Sequence, residues 1–197
     1  MKKLLFLTNY ASPYRVQFFD ELGKFMDVTV LFSDRTEVQS HRSTDWFIQS
    51  KGHFRLVQLN RTGAIQGRDF CPDVRKWLTR DYDAIIVCGY SSPTVMYAMA
   101  WLRLKKIPFY MEVDGGLIRD DSKLKYQFKK CLVSAPAYWI SSGREATRYL
   151  VHYGAKKERV YHYPFTSLWE KDILAQAPSA EEKQMLRQRL GMKEEKI

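Results

Sequence analysis

The chain has 197 residues, 45% hydrophobic, 14% aromatic and 27% charged, an ordinary globular composition that excludes disordered, collagen-like and low-complexity classes. Its 32 Lys and Arg against 22 Asp and Glu leave a net charge of +10, concentrated between Trp101 and Val160, where thirteen basic residues face six acidic ones; such a balance suits phosphates, nucleic acid or an anionic membrane surface. No apolar run reaches the ~18–20 residues that span a bilayer, and Cys71, Cys88 and Cys131 lack C-x-x-C spacing, so the expectation is a cytoplasmic protein without a disulfide framework or zinc site.

Lys2 and Lys3 before Leu4-Leu5-Phe6-Leu7 imitate a signal peptide, but Thr8-Asn9-Tyr10 breaks the apolar run at once. Residues 3–8 therefore read as a buried strand. Pro13 suits the first turn of a helix over 14–25, where Val16, Phe18, Phe19, Leu22 and Phe25 recur at helical spacing. Strands follow at 27–32 and 54–59, separated by a polar region over 33–52. Residues 60–70, with Gly63 and Gly67, read as loop, and Pro72 opens a helix ending near Arg80. The run at 84–88 is strand-like and ends at Gly89. Ser92 caps a helix that has Pro93 first and runs to 106. A strand at 108–113 ends at Asp114-Gly115-Gly116, an amphipathic helix covers 123–133, and a strand covers 138–141. A helix at 143–153 and a strand at 159–163, stopped by Pro164, complete the series. Ser179 with Glu182 forms a capping box for a last helix carrying Met185, Leu186 and Leu190 and closed by Gly191.

This alternation predicts an α/β, Rossmann-like parallel sheet with helices on both faces. Residues 1–175 form that domain, and 176–197 form a helix and linker leading to a further domain. Loops at the carboxyl ends of the strands, 9–15, 89–92, 114–119 and 141–145, then line the ligand crevice.

Motifs exclude more than they assign. No G-x-G-x-x-G follows a strand, no P-loop is present, and Gly89-Tyr90-Ser91-Ser92-Pro93 lacks the second glycine of a nucleophile elbow. The four histidines show no ligand spacing, so no metal or cofactor is expected. Asp114-Gly115-Gly116, with Glu112 just before it, is the best polar constellation; it reads either as a ligand-approaching loop or as a simple turn. The helix start at Asn9 to Arg15, with Pro13 and Tyr14, offers backbone N–H groups and Arg15 to an anion, or is an ordinary turn with Arg15 in solvent. The turn with Ser142 and Arg144 repeats this arrangement, with Ser142 as a plain N-cap the alternative. In the helix at 123–133, Leu124, Phe128, Cys131 and Leu132 make an apolar stripe flanked by Lys123, Lys125, Lys129 and Lys130. Either the stripe packs on the sheet, or the helix lies on an anionic membrane.

Four stretches, in this order and spacing, resemble the N-terminal half of glycosyltransferase family 4 enzymes. They are Pro13-Tyr14-Arg15-Val16-Gln17-Phe18-Phe19-Asp20-Glu21-Leu22, Tyr82-Asp83-Ala84-Ile85-Ile86-Val87-Cys88-Gly89-Tyr90, Pro108-Phe109-Tyr110-Met111-Glu112-Val113-Asp114-Gly115, and the run from Tyr138-Trp139-Ile140-Ser141-Ser142 through Tyr153-Gly154-Ala155, closed by Arg159-Val160. The resemblance implies one half of a GT-B fold and a retaining hexosyltransferase of cell-surface polysaccharide synthesis. It implies that this half binds a glycan acceptor, lipid-linked in some relatives, and that a C-terminal domain beyond this chain binds the nucleotide-sugar donor. Site residues implied are Asp114, oriented on an acceptor hydroxyl, with Asn9, Pro13, Tyr14, Arg15, Gly89, Tyr90, Ser91, Glu112, Gly115, Gly116, Ser142 and Arg144 around it. Ala11-Ser12-Pro13 stands where many members have a glycine pair. A stand-alone Rossmann-type module for a nucleotide or anion is the alternative. Nucleic acid is not expected, since no helix-turn-helix, RNA-recognition or OB-fold signature accompanies the charge.

Overall fold

The computed structural model describes residues 1–34, 52–65, 67–164, 168 and 173–192. The chain divides into two compact units, Met1–Phe165 and Thr166–Ile197. Most of the polar region at 33–52 and the exit at 165–167 lie outside the described residues.

The first unit is built on a seven-stranded sheet. Its strands are β1 (Lys3–Thr8), β2 (Asp27–Phe32), β3 (Arg55–Gln58), β6 (Ala84–Cys88), β7 (Tyr110–Val113), β8 (Tyr138–Ser141) and β9 (Val160–His162), in the order β3-β2-β1-β6-β7-β8-β9. Every pairing in it is parallel. A central parallel strand is covered on both faces, so it must be apolar throughout, and Leu5, Phe6 and Leu7 of β1 are all buried. The edge strand β3 escapes that demand and exposes Arg55, Leu56 and Gln58.

Alternation along each strand sorts side chains between two layers. Phe6, Val30 and Ile86 join Val16 and Phe19 of helix α1 (Pro13–Gly23) on one face. Leu5, Leu7, Ile85 and Val87 join Val95, Ala98, Met99 and Leu102 of α2 (Pro93–Leu104) on the other, with Val133 of α3 (Lys123–Val133) and Ala146, Tyr149 and Leu150 of α4 (Arg144–His152). Thus the chain winds from β1 toward β2 on one face and from β6 toward β7 on the other. The winding reverses between β1 and β6.

Several expectations need correcting. Residues 60–70 are not plain loop: Gly63–Ile65 (β4) and Arg68–Phe70 (β5) pair antiparallel around Gly67, whose φ of +74° makes the turn. The helix expected from Pro72 to Arg80 is only a 3₁₀ stretch, Pro72–Lys76. The chain there is tied to α2 instead, since the Thr94 hydroxyl donates to Asp69 O at 2.9 Å and accepts from Cys71 N at 3.0 Å. Ser92 holds the N-cap position of α2, yet its hydroxyl makes no cap and is buried without a partner among the described residues. Gly143, not Ser142, is the N-cap of α4.

Helix α3 fits only in part the reading in which its apolar stripe packs on the sheet: Leu132 is half-buried against the core, whereas the rest of the stripe faces outward. Leu124 is 86% and Phe128 54% exposed, and Cys131 is exposed as well. Lys129, expected on the solvated flank, instead turns inward and bonds Asp121 at 2.7 Å and the Tyr153 hydroxyl at 3.2 Å.

In the second unit, α5 (Ala180–Arg189) carries the anticipated capping box. Glu182 N donates to Ser179 Oγ at 3.1 Å, and Ser179 N donates to Glu182 Oε2 at 2.7 Å.

Candidate functional site

Because all seven strands of the sheet run the same way, their carboxyl ends share one rim, and a doubly wound sheet opens a crevice there where its winding reverses. A pocket of about 210 Å³ occupies that place. The end of β1 and the start of α1 contribute Thr8, Asn9, Tyr10, Ser12, Tyr14 and Arg15; β6 and its exit contribute Cys88, Gly89 and Ser91; β7 and its exit contribute Glu112 and Asp114.

Beneath the pocket lies an ion pair. Arg15 donates from both guanidinium ends to Glu112, at 2.5 Å to Oε1 and 2.8 Å to Oε2, with both side chains under a tenth exposed. The Cys88 thiol donates to Glu112 Oε2 at 2.9 Å and accepts from Arg15 at 2.9 Å, and the Tyr163 hydroxyl donates to Glu112 Oε1. Burial alone would raise the Glu112 pKa, but the hydrogen bonds and charge of Arg15 outweigh it and hold the carboxyl below its usual range. Burial works against the Arg15 cation too, and its anionic surroundings reverse this and raise its pKa. Burial, reinforced by Glu112, raises Cys88 far enough that it stays a thiol at neutral pH, so Glu112 supplies the negative charge. Burial and Glu112 likewise keep Tyr163 protonated. Arg15 is therefore neither the solvent-exposed residue nor the free anion-binding hand the sequence allowed. Both Glu112 oxygens are likewise committed to protein donors.

What remains open to a ligand is mostly neutral. Asp114 is exposed at the pocket and makes no hydrogen bond or ion pair among the described residues. Asn9 uses its Oδ1 to accept from Tyr10 N at 3.0 Å, which leaves its amide N–H groups uncommitted. Ser12 is 1% exposed, and its hydroxyl has no partner among the described residues. It stands at the N-cap of α1, and its side chain does not cap the helix. Gly89 takes a φ of +74°, a left-handed turn that glycine adopts without steric cost.

Of the anticipated residues, Asn9, Tyr14, Arg15, Gly89, Ser91, Glu112 and Asp114 line the pocket, whereas Pro13, Tyr90, Gly115, Gly116, Ser142 and Arg144 do not. The Tyr90 hydroxyl instead meets that of Tyr149, and burial followed by this contact raises its pKa. Gly116 makes room for protein rather than ligand: a Cβ there would fall 2.6 Å from Cγ of the Tyr149 ring. Sequence reasoning included Tyr10 and Ser12 only as part of the 9–15 loop, without singling them out, and missed Thr8 and Cys88. The one usable signal was the Ser-Pro pair, since Ser12-Pro13 and Ser92-Pro93 both follow a strand and both leave a buried serine hydroxyl unpartnered. Among the described residues no group of His, Cys, Asp and Glu could hold a metal ion, and no helix is long and apolar enough to cross a membrane.

No protein-family model and no curated protein matches the sequence. Solved structures do resemble the fold. HepE of Anabaena in complex with UDP-glucose superposes with a TM-score of 0.57 at 14% identity, over 97% of this chain and 50% of HepE. UDP-N-acetylglucosamine 2-epimerase from Rickettsia bellii gives 0.54 at 14% identity, over 82% of this chain and 44% of the epimerase. The UDP-GlcNAc 2-epimerase of Methanocaldococcus jannaschii gives 0.53 at 15% identity, covering 82% and 45%. The chain thus spans about half the length of the structures it matches. The shared feature is the fold: a Rossmann-like parallel sheet of the GT-B type.

Proposed function

We propose that this chain is the acceptor-side, N-terminal domain of a retaining glycosyltransferase resembling family 4. In the full-length enzyme a sugar passes from a nucleotide-sugar donor to a glycan acceptor in cell-surface polysaccharide synthesis. The observation that carries this reading is the chemistry of the pocket at the switch point. It offers hydroxyls, an amide and one uncommitted carboxylate, and its single cation is already neutralised by Glu112. Such a lining suits the neutral hydroxyls of a sugar better than a diphosphate. The UDP-glucose bound to HepE and the UDP-sugar named for the epimerases support a nucleotide sugar as the donor. In this reading a C-terminal domain holds that donor.

Asp114 is, in this reading, the residue that acts. Its carboxylate accepts a hydrogen bond from the attacking acceptor hydroxyl, orienting it and increasing electron density on its oxygen. Asn9, Ser12 and Ser91 fix the ring through neighbouring hydroxyls. Asp114→Asn in the full-length enzyme is expected to lower kcat/KM by about ten- to a hundredfold, the worth of one charged hydrogen bond, with Tm unchanged. Unaltered kcat and KM would return the 114–116 loop to simple turn chemistry.

A second reading, a stand-alone module for a nucleotide or anion, is favoured by the unpartnered Ser12 hydroxyl at the uncapped start of α1. Titrating the 197-residue chain with UDP separates the two. Saturable binding that weakens in Ser12→Ala favours the module, whereas binding of an oligosaccharide acceptor that weakens in Asp114→Asn favours the transferase domain.

A further inference from the structure

Helix α3 turns Leu124, Phe128 and Cys131 of its apolar stripe away from the protein and keeps Leu132 against it. Val133 is buried, and Tyr126, Lys129 and Leu132 are half-buried, which fixes the inward side of the helix. With about 100° between successive residues, Leu124, Phe128 and Cys131 fall on the opposite side. The exposures agree, at 86% for Leu124 and 54% for Phe128. Lys123 and Lys130 border the stripe on one side and Lys125 on the other, all three exposed, and the helix contains no acidic residue. The segment before it adds Leu117 and Ile118, 70% and 49% exposed. These two residues sit in the same loop as Asp114.

We propose that this face docks on an anionic lipid bilayer. Leu117, Ile118, Leu124 and Phe128 enter the headgroup boundary, and Lys123, Lys125 and Lys130 meet lipid phosphates. Charge selects this occupant. A folded protein partner is disfavoured because lysine is depleted from the cores of protein interfaces, whereas lysine flanks on an outward apolar stripe are the pattern of interfacial helices. A second copy of the chain is disfavoured because a two-fold contact of α3 on α3 would bring its own lysines together. Asp121, the acid nearest the helix, is already occupied: Lys129 first, then Tyr153 and Lys125, bond its carboxylate and hold it below the usual carboxylate range. Nothing in the inference depends on the transferase reading. If both hold, docking brings the Asp114 loop to a lipid surface.

The test is co-sedimentation of the 197-residue chain with vesicles of phosphatidylcholine, with and without phosphatidylglycerol. Binding is expected only to the anionic vesicles and is expected to fall with salt. Replacing Lys123, Lys125 and Lys130 by Gln should lower the partition coefficient on the order of a hundredfold, about fivefold per lysine. Leu124→Gln with Phe128→Gln should lower it more than about tenfold. Both sets of positions are exposed, so thermal melts should match the parent. No sedimentation with anionic vesicles at low salt overturns the proposal. So does binding that the Leu124/Phe128 change leaves intact, which would mark it as diffuse attraction by the net charge. A soluble dimer lost on that change, without vesicle binding, would identify a second copy as the occupant.

Discussion

Arg15 and Glu112 lie 97 positions apart in the chain and meet as a buried, doubly hydrogen-bonded pair. Their charges make the site's floor a matter of pH. The Glu112 carboxyl sits below its ordinary range in the fold, so it contributes stability above that range and loses it as pH falls through the lower folded value. Arg15→Met removes the largest of the groups that lower it and leaves burial, which raises it, opposed only by the weaker hydrogen bonds of Cys88 and Tyr163. The variant should lose about 3–5 kcal/mol at neutral pH, the usual cost of stranding one buried charge. Its dependence should also reverse: a raised carboxyl pKa means that stability grows as Glu112 takes up a proton. The Tm gap between parent and variant should therefore narrow between about pH 7 and pH 5, read by thermal melts across that range. A constant gap would show that Glu112 does not feel Arg15 as a charge. Here lies the limit of what the sequence disclosed about the site. Asp114 could be picked out by its place between a strand and two glycines, but nothing local to Arg15 announces a partner on another strand. Ser12 was hidden for a related reason, since an N-cap serine is ordinarily spent on its own helix.

At the scale of elements, the loop after β7 is set by what it touches. Tyr149 packs at 4.9 Å from the Tyr153 ring and is hydrogen-bonded to Tyr90, and its ring face lies against Gly116. Further along the loop, Asp121 accepts from the Tyr153 hydroxyl at 2.5 Å and from Lys129 at 2.7 Å. Two contacts thus pin the segment that begins with Asp114, one steric and one ionic. Gly116→Ala should cost about 1–3 kcal/mol through overpacking, while Gly115→Ala, with nothing within 4 Å of its added carbon, should stay within about 0.5 kcal/mol. Urea melts of both variants, and of Gly116→Ala in a Tyr149→Ala background, check this. The part of the Gly116→Ala cost that persists after the ring is gone reports the strain of a side chain at its φ of +157°, whereas a cost that removing the ring leaves unchanged would exclude overpacking. The elements most legible in the sequence were those whose environment is uniform. Strands β1, β2 and β6, covered on both faces, are predominantly apolar runs, interrupted inside β2 only by Thr29, and their limits match the expected ones. The β4–β5 hairpin was not legible, because a short two-stranded ribbon with no fully buried residue has no periodic apolar face to show.

For the whole molecule, the order of strands matters more than any single motif. The reversal between β1 and β6 brings the exits of three strands to one pocket, and the fold class was readable because strand–helix alternation leaves few other solutions. The same layout predicts what the chain by itself does not do. Transfer from a nucleotide sugar leaves a diphosphate, and its developing charge needs fixed cations or N–H groups aimed at it in a water-excluded site. Among the described residues lining the pocket, Arg15 is the one cation, and Glu112 already compensates it. The α1 N-terminus offers only a partial charge, of about half a unit. The many remaining basic residues, Lys123, Lys125 and Lys130 among them, do not line this pocket. The 197-residue chain should therefore fold and unfold cooperatively yet release no UDP from UDP-sugars above the uncatalysed rate, with or without an acceptor, in a coupled assay. Turnover by this chain would mean that its own pocket stabilises the leaving diphosphate, and the assignment of acceptor side and donor side would have to be exchanged.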